Sequence, residues 1–102
     1  MRRDVFQGIA DPTRREIILL LRKNDLTLNK VAENFNISRP AISKHVKVLE
    51  ECGLIKIKQK GRERFCIINP KPLNEIYEWL EYFDKFWDKK LNSLQNFLED
   101  KK

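Results

Sequence analysis

Residues 28–64 decide the fold of this chain, and they read LNKVAENFNISRPAISKHVKVLEECGLIKIKQKGRER. Apolar residues recur at helical spacing on two successive segments of this stretch, Leu28, Val31, Ala32 and Phe35 on the first and Ile42, Val46 and Leu49 on the second. Thr27 and Ser38 stand where a side-chain oxygen caps each helix, and Gly53 stands where the second should end. From Leu54 the apolar period becomes alternating, so a β-hairpin should follow.

The segments on either side predict further helices. A short first helix should end near residue 10, and Asp11-Pro12 starts a second, because an Asx cap precedes proline at the first helical position. After Asn69-Pro70-Lys71-Pro72, one long helix is predicted from Leu73 onward. The apolar positions that predict the first helix are Val5, Phe6 and Ile9.

Two turns complete the prediction. The hairpin should have two strands, at about residues 54–59 and 64–68, with Gly61 in the turn, and should lie against the helices because a lone hairpin is marginal in water. Asn36 stands between the third and fourth helices, where a left-handed residue would be tolerated.

The order helix, helix, helix–turn–helix, β-hairpin, helix is the winged-helix arrangement. We therefore expect a mainly α fold with a small β-hairpin. Residues 1–69 should form a winged helix-turn-helix DNA-binding domain, with the helix–turn–helix at about 28–51 and the wing at about 54–68. Residues 70–102 should form a long C-terminal dimerisation helix in the same structural unit.

Length and composition exclude several classes of protein. With 102 residues, of which 35% are charged and 41% hydrophobic, the chain fits one globular domain. We expect no membrane insertion and no secretory signal, because no apolar run approaches the roughly 18–20 residues of a membrane span. Cys52 and Cys66 make no disulfide framework, which suits a cytoplasmic protein.

The positive charge is unevenly distributed. The chain has 21 Lys and Arg against 15 Asp and Glu, a net charge of +6. Residues 1–69 contain 15 of the cations and 8 of the acids, whereas residues 70–102 contain 6 and 7. The cations are densest in residues 38–64, and this concentration is the footprint of nucleic-acid binding.

The fourth predicted helix supplies the first set of candidate DNA contacts. With its apolar stripe turned inward, its outward face presents Arg39, Pro40, Ser43, Lys44 and Lys47. Arg39 is the candidate base reader, because a guanidinium pairs bidentately with guanine, and Ser43 could meet a base edge or a phosphate. The two lysines fit phosphates. Thr27 and Ser38 cap their helices and could also offer backbone N–H groups to phosphate oxygens.

The predicted hairpin supplies the second set, Lys58, Lys60, Arg62 and Arg64. A wing can place such side chains on the flanking backbone or in the minor groove, and the tip residues Lys60 and Arg62 should matter most. The alternative is that these are solvated edge-strand charges that discourage aggregation.

The remaining chemistry-bearing residues favour structural roles. His45 flanks the buried stripe, so packing and a hydrogen bond are expected, and a DNA contact stays open. The two cysteines are expected to be small buried hydrophobes. No catalytic set and no phosphate-cradling glycine loop is present, so we expect neither an enzyme nor a cofactor.

Two motifs resemble those of ArsR-type winged-helix repressors. They are FQGIADPTRREI at residues 6–17 and ISRPAISKHVKVLE at residues 37–50, the latter followed by Gly53-Leu54-Ile55 and by KGRER at residues 60–64. The aromatic final helix is similar to that of a small autorepressor branch. The resemblance implies a homodimeric bacterial repressor that binds operator DNA near its own promoter, with contacts at Arg39, Pro40, Ser43 and Lys44.

The chain departs from the metal-sensing members of that family. These carry a Cys-x-Cys pair in the third helix, whereas residues 26–32 contain no cysteine. Others use His with Asp or Glu from the final helices, and residues 70–102 contain no histidine. We therefore expect no metal site. At Pro40, which replaces a polar residue common in the sensors, a side-chain hydrogen bond is lost.

A homodimer is expected on physical grounds as well. A long helix that is aromatic over much of its circumference cannot hide those side chains on so small a domain. The predicted two-fold interface comprises Val5, Phe6, Ile9, Leu80, Phe83, Trp87, Leu91 and Leu94. Two-fold symmetry would place the recognition helices about 34–36 Å apart on an inverted repeat.

The alternative function is a winged-helix module that binds protein instead of DNA, against which the basic face argues. The sequence does not identify the operator, the regulated genes or an inducing signal.

Overall fold

The computed structural model describes residues 4–100 of the chain, without the side chains of Lys85, Trp87, Leu91 and Asp100. The helices are α1 (Val5–Ile9), α2 (Pro12–Leu21), α3 (Leu28–Glu33), α4 (Arg39–Glu51), α5 (Leu73–Glu81) and α6 (Asp84–Asp100). The strands are β1 (Leu26–Thr27), β2 (Ile55–Lys60) and β3 (Glu63–Ile68). This is the expected winged helix-turn-helix, mainly helical with a small antiparallel sheet.

The sheet has three strands in the order β1-β3-β2, so the expectation of a two-stranded hairpin was incomplete. Leu26 pairs with Cys66 and Thr27 with Phe65, which makes the segment before α3 the outer strand beside β3. A strand of two residues is too short to show an alternating apolar pattern, so the sequence did not predict β1. The pairing satisfies backbone groups on the free edge of β3 and joins the wing to the helix–turn–helix.

Residues from α1 to α4, together with Leu54 and the sheet, form one core. Its largest fully buried side chains are Ile17, Leu21, Val31, Ile42, Leu49, Leu54, Ile55 and Cys66. The inward stripe predicted for α4 is confirmed, because Val46 is buried beside Ile42 and Leu49. Both cysteines are also buried, as predicted. This core fixes which face of α4 remains exposed.

Side-chain caps set where the helices begin and end. The predicted caps are confirmed, with Asp11 Oδ1 accepting from the Arg14 N–H, Thr27 Oγ1 from Lys30 and Ser38 Oγ from Ala41. Gly53, at φ 79°, ends α4 as predicted. There the Leu54 N–H donates to the Leu49 carbonyl and the Gly53 N–H to the Glu50 carbonyl, the two bonds of a Schellman motif.

The turn between α3 and α4 contains no left-handed residue. Every non-glycine residue that the structure describes has negative φ, so a left-handed Asn36 was not needed. Instead, α3 ends on Asn34 in right-handed helical conformation. Its amide Nδ2 donates to the Lys30 carbonyl at 2.8 Å, which satisfies one of the helix's last acceptors.

The C-terminal segment is two helices, not the single helix predicted from Leu73. The helix breaks at Tyr82 and Phe83, whose N–H groups donate to Trp79 and Leu80 three residues back. Such tightened bonds end a helix without glycine or proline, and aromatic residues are weaker helix formers than the Leu, Glu and Lys around them. Among the described residues no helix is long and apolar enough to cross a membrane.

Candidate nucleic-acid interface

α4 presents a basic face to solvent. Ser38 caps the helix, Pro40 occupies its first turn, and the buried stripe turns the opposite side outward. The structure places all five outward-face candidates on the exposed surface, namely Arg39, Pro40, Ser43, Lys44 and Lys47. An exposed helix whose first turn carries Arg39 has the geometry required to enter a major groove.

The wing is a tight hairpin with exposed cations. Strands β2 and β3 pair from Ile55–Ile68 to Lys60–Glu63, leaving Gly61 and Arg62 as the two turn residues. Gly61 has φ 63° and Arg62 a negative φ, the signs of a type II′ turn. The four wing candidates, Lys58, Lys60, Arg62 and Arg64, are all exposed. The Lys60 ammonium lies 5.5 Å from the centre of the Phe65 ring, which holds this side chain near the tip.

A cleft joins the wing to the starts of α3 and α4. Its volume is about 360 Å³, and its lining residues are Thr27, Leu28, Asn29, Arg39, Arg62, Glu63 and Arg64. Three arginines on two elements thus face one cleft with a single glutamate. A surface of that composition suits an anionic backbone.

β1 accounts for the cleft. Because Thr27 pairs with Phe65 in β3, the start of α3 is fixed beside the wing. The sequence predicted Arg39, Arg62 and Arg64 as separate candidates, and only the strand pairing brings them together. Asn29 was missed, since an exposed amide in a helix carries no distinguishing pattern. Ser43, Lys44 and Lys47 are not part of the cleft lining.

His45 lies on the side of α4 that faces α2. Its Nδ1 is 3.4 Å from Nη1 of Arg14 and 4.0 Å from Oδ1 of Asp11, and its side chain is about one-fifth exposed. This geometry agrees with the predicted packing and hydrogen bond. Although burial opposes it, the pKa of Asp11 is lowered by the backbone N–H of Arg14, by His45 and by the Thr13 N–H.

The cysteine thiols serve packing. Cys52 Sγ donates to the Asp4 carbonyl at 3.2 Å, linking the end of α4 to the start of α1. Burial, and then the Glu50 carboxylate, raise the pKa of Cys66 and keep it a thiol. Among the described residues, no group of three or more His, Cys, Asp or Glu side chains is placed to hold a metal ion.

The predicted dimer interface is exposed in part. Leu80, Phe83 and Leu94 are exposed and Phe6 and Ile9 are half-buried. Val5 is only 3% exposed and belongs to the core of its own chain, so it offers a partner almost no surface. Trp87 and Leu91 lie outside the described side chains. Phe6 and Trp79 pack edge to face at 5.6 Å, which joins α1 to α5.

Comparison with known proteins agrees with this geometry. Residues 11–56 match the model of the bacterial regulatory protein arsR family. The transcriptional repressor SdpR of Bacillus subtilis (strain 168) is 39% identical over 80 residues, covering 78% of this chain and 89% of SdpR.

Two solved structures share the fold. The crystal structure of the ArsR family transcriptional regulator RHA00566 has a TM-score of 0.73 and 33% identity, covering 82% of this chain and 92% of that one. A homodimeric winged helix-turn-helix DNA-binding domain from Mycobacterium bovis has a TM-score of 0.64 and 16% identity, covering 79% and 75%. These proteins are described as regulators and DNA-binding domains, not enzymes. The chain therefore belongs to the ArsR family of winged helix-turn-helix transcriptional regulators.

Proposed function

We propose that this regulator is a homodimeric repressor that binds an inverted-repeat operator upstream of its own gene. In each protomer α4 enters the major groove, with Arg39 at a base edge and Lys44 and Lys47 at phosphates. The wing cations lie on the flanking backbone or in the minor groove. The protein acts in the cytoplasm.

The observation that carries this proposal is the shared cleft between α4 and the wing. Arg39 and the wing arginines Arg62 and Arg64 face one space, although Arg39 lies more than twenty positions before them in the chain. Arg39 lines the cleft and also belongs to the exposed face of α4. One duplex could therefore contact the start of α4 and the wing together, which a protein-binding surface would not require.

The homodimer is supported by the exposed apolar face of α5 and α6. Leu80, Phe83, Phe86, Leu94, Phe97 and Leu98 all remain exposed on this small chain. On α6 these residues repeat at helical spacing, and the stripe is wider than the seam of a two-stranded coiled coil. A second copy would bury it, and the Mycobacterium bovis domain of the same fold is homodimeric.

We also propose that repression does not respond to a metal ion. The whole chain contains one His and two Cys, and both cysteines are buried in the core. A zinc or soft-metal sensor needs several such ligands at one site. Repression is proposed because SdpR, a transcriptional repressor, is similar over most of this chain. The resemblance of the aromatic final helix to a small autorepressor branch adds that the repressed gene is its own.

The experiment that tests DNA recognition is Arg39→Ala. We measure binding of the purified protein to the region upstream of its own gene and to a shuffled fragment of equal length. Loss of a bidentate contact should lower affinity for the upstream region about 10- to 100-fold, because a good arginine–guanine pair contributes about 1–3 kcal/mol of discrimination. Affinity for the shuffled fragment should fall far less.

The matched control is Arg22→Ala, which removes the same charge from an exposed arginine that caps α2 outside the cleft. Its preference for the upstream region should match that of the unaltered protein. Equal losses on both DNAs for Arg39→Ala would show that Arg39 contacts only phosphate. If the unaltered protein does not distinguish the two fragments, autorepression through this region is wrong.

A further inference from the structure

Arg14 in α2 makes a three-way contact beneath α4. Its Nε donates to the Gly8 carbonyl at 2.9 Å and its Nη2 to the Gln7 carbonyl at 2.8 Å. These bonds to consecutive carbonyls at the end of α1 fix the plane of the guanidinium. The remaining amino group, Nη1, is then directed at His45 Nδ1, 3.4 Å away in α4.

The contact requires neutral histidine. A guanidinium has only donors, so Nδ1 must accept through its lone pair and the ring proton must lie on Nε2. The same Nδ1 lies 4.0 Å from the Asp11 carboxylate. When the ring is protonated, Nδ1 becomes a donor attracted to Asp11 and repelled by Arg14. One atom therefore has two partners, each suited to a different protonation state.

We propose that Arg14 is a positioning residue for α4, acting through neutral His45 to hold the exposed face of α4 at the angle that DNA recognition requires. His45 directly follows Ser43 and Lys44 of that face, so a change in its contact shifts these residues. The inference rests on the proposed role of α4 in DNA binding. It assigns to His45 a mechanical role that needs no contact with DNA.

The charged groups that the structure places against His45 are Asp11, which caps α2, and Arg14, which lies within it. One turn away on α4 stand the uncharged Ala41, Val48 and Leu49. The only groups of α1 in this contact are the backbone carbonyls that bind Arg14. The described charged side chains of α3 and β2 make no hydrogen bond or ion pair with the His45 ring. Acidification should therefore weaken the Arg14 contact while strengthening the attraction to Asp11.

The test compares Arg14→Gln with Arg15→Gln. Arg15 is a matched control because its Nη1 also donates to a carbonyl at the end of α1, Ile9 at 2.7 Å. Arg15 is exposed, and among the described residues its side chain bonds only to α1. Both variants lose one positive charge. At about pH 8, Arg14→Gln should lower affinity for the upstream region about fivefold more than Arg15→Gln does.

The pH profile separates positioning from simple destabilisation. Histidine changes charge between about pH 5 and 8. At a low pH that protonates His45, the unaltered protein should also lose the Arg14–His45 contact, so its affinity and that of Arg14→Gln should converge. His45→Gln, whose Oε1 accepts from Arg14, should retain affinity for the upstream region. The ratio of its affinity to that of Arg14→Gln should not change with pH. His45→Phe, which cannot accept, should behave like Arg14→Gln.

Two outcomes would overturn the inference. One is an equal loss for the Arg14 and Arg15 variants at pH 8, and the other is a constant ratio between the unaltered protein and Arg14→Gln across the pH range. Circular dichroism at both pH values checks that each variant is folded. If Arg39→Ala weakens binding but these two results occur, only the positioning role is wrong. If Arg39→Ala has no effect, the proposed role of α4 is wrong.

Discussion

Gly8 of α1 is buried against Leu54 and Cys52 at the end of α4. A methyl group at this position would lie 2.9 Å from Leu54 Cδ1 and 3.0 Å from Cys52 Sγ. Leu54 is fully buried, and because protein cores are close-packed its side chain can yield only by displacing its neighbours. Glycine is required here by the packing of α1 on the end of α4, not by an unusual backbone angle.

We expect Gly8→Ala to lower the free energy of unfolding by about 1–2 kcal/mol. Overpacking a core costs about 1–3 kcal/mol, and the better helix propensity of alanine offsets part of this. Urea unfolding at one fixed protein concentration measures the change.

Leu54→Val provides the control for this substitution, because it shortens the side chain that the new methyl group meets. The double variant Gly8→Ala/Leu54→Val should lose less free energy of unfolding than the two single variants lose in sum. Strictly additive effects would show that the strain lies elsewhere.

Residues that act within one turn of helix were predictable, and residues that act across the fold were not. The caps Asp11, Thr27 and Ser38 follow from the rule that a side-chain oxygen satisfies the first free N–H groups of a helix. Arg14 and His45 are 31 positions apart in the chain. Their contact depends on how α2 packs against α4, which no local pattern specifies.

At the scale of elements, apolar spacing predicted α1 to α4 and the two wing strands. It failed at β1, where two residues are too few to show a period, and at the break between α5 and α6. The apolar seam continues through Tyr82 and Phe83, so periodicity alone predicts one helix. The break appears only in the backbone hydrogen bonds, and it sets where α6 lies relative to α5.

The apolar stripe of α6 gives a prediction for the dimer. Leu94→Asp should raise the dimer dissociation constant about 100-fold or more, because it puts a charge on both copies at a position where the dimer would bury a leucine. Leu94 is 54% exposed in the single chain, so the protomer fold should be unaffected. Sedimentation velocity measures the dimer, and the melting curve of the monomer checks the fold.

Asn92→Asp is the matched control, since it adds the same charge to an exposed position across the helix from the stripe. It should remain dimeric. Dimers of normal strength for Leu94→Asp would place the interface away from this part of α6.

For the whole molecule, the uneven charge gives a prediction about salt. If each protomer neutralises about four phosphates, a dimer neutralises about eight, and log K should fall with log salt concentration at a slope near −7. Fluorescence anisotropy with a labelled duplex, titrated at several salt concentrations, measures the slope.

Arg62→Ala tests whether the wing contributes to this slope. It removes one cation per protomer, so the slope should become shallower by about 2, with a similar change on specific and shuffled DNA. An unchanged slope would show that Arg62 neutralises no phosphate and is a solvated charge at the strand edge, the alternative that the sequence left open.

The short strand β1 has a mechanical consequence. Thr27 is at once the cap of α3 and the partner of Phe65 in the wing. Helix α3 and the hairpin are consequently joined through Thr27, which pairs with Phe65 by its backbone and accepts from the Lys30 N–H by its side chain, so the two cannot separate without breaking those bonds. For the proposed dimer, release from DNA would then come from a change in the separation or tilt of the two protomers, not from lifting the hairpin off its site.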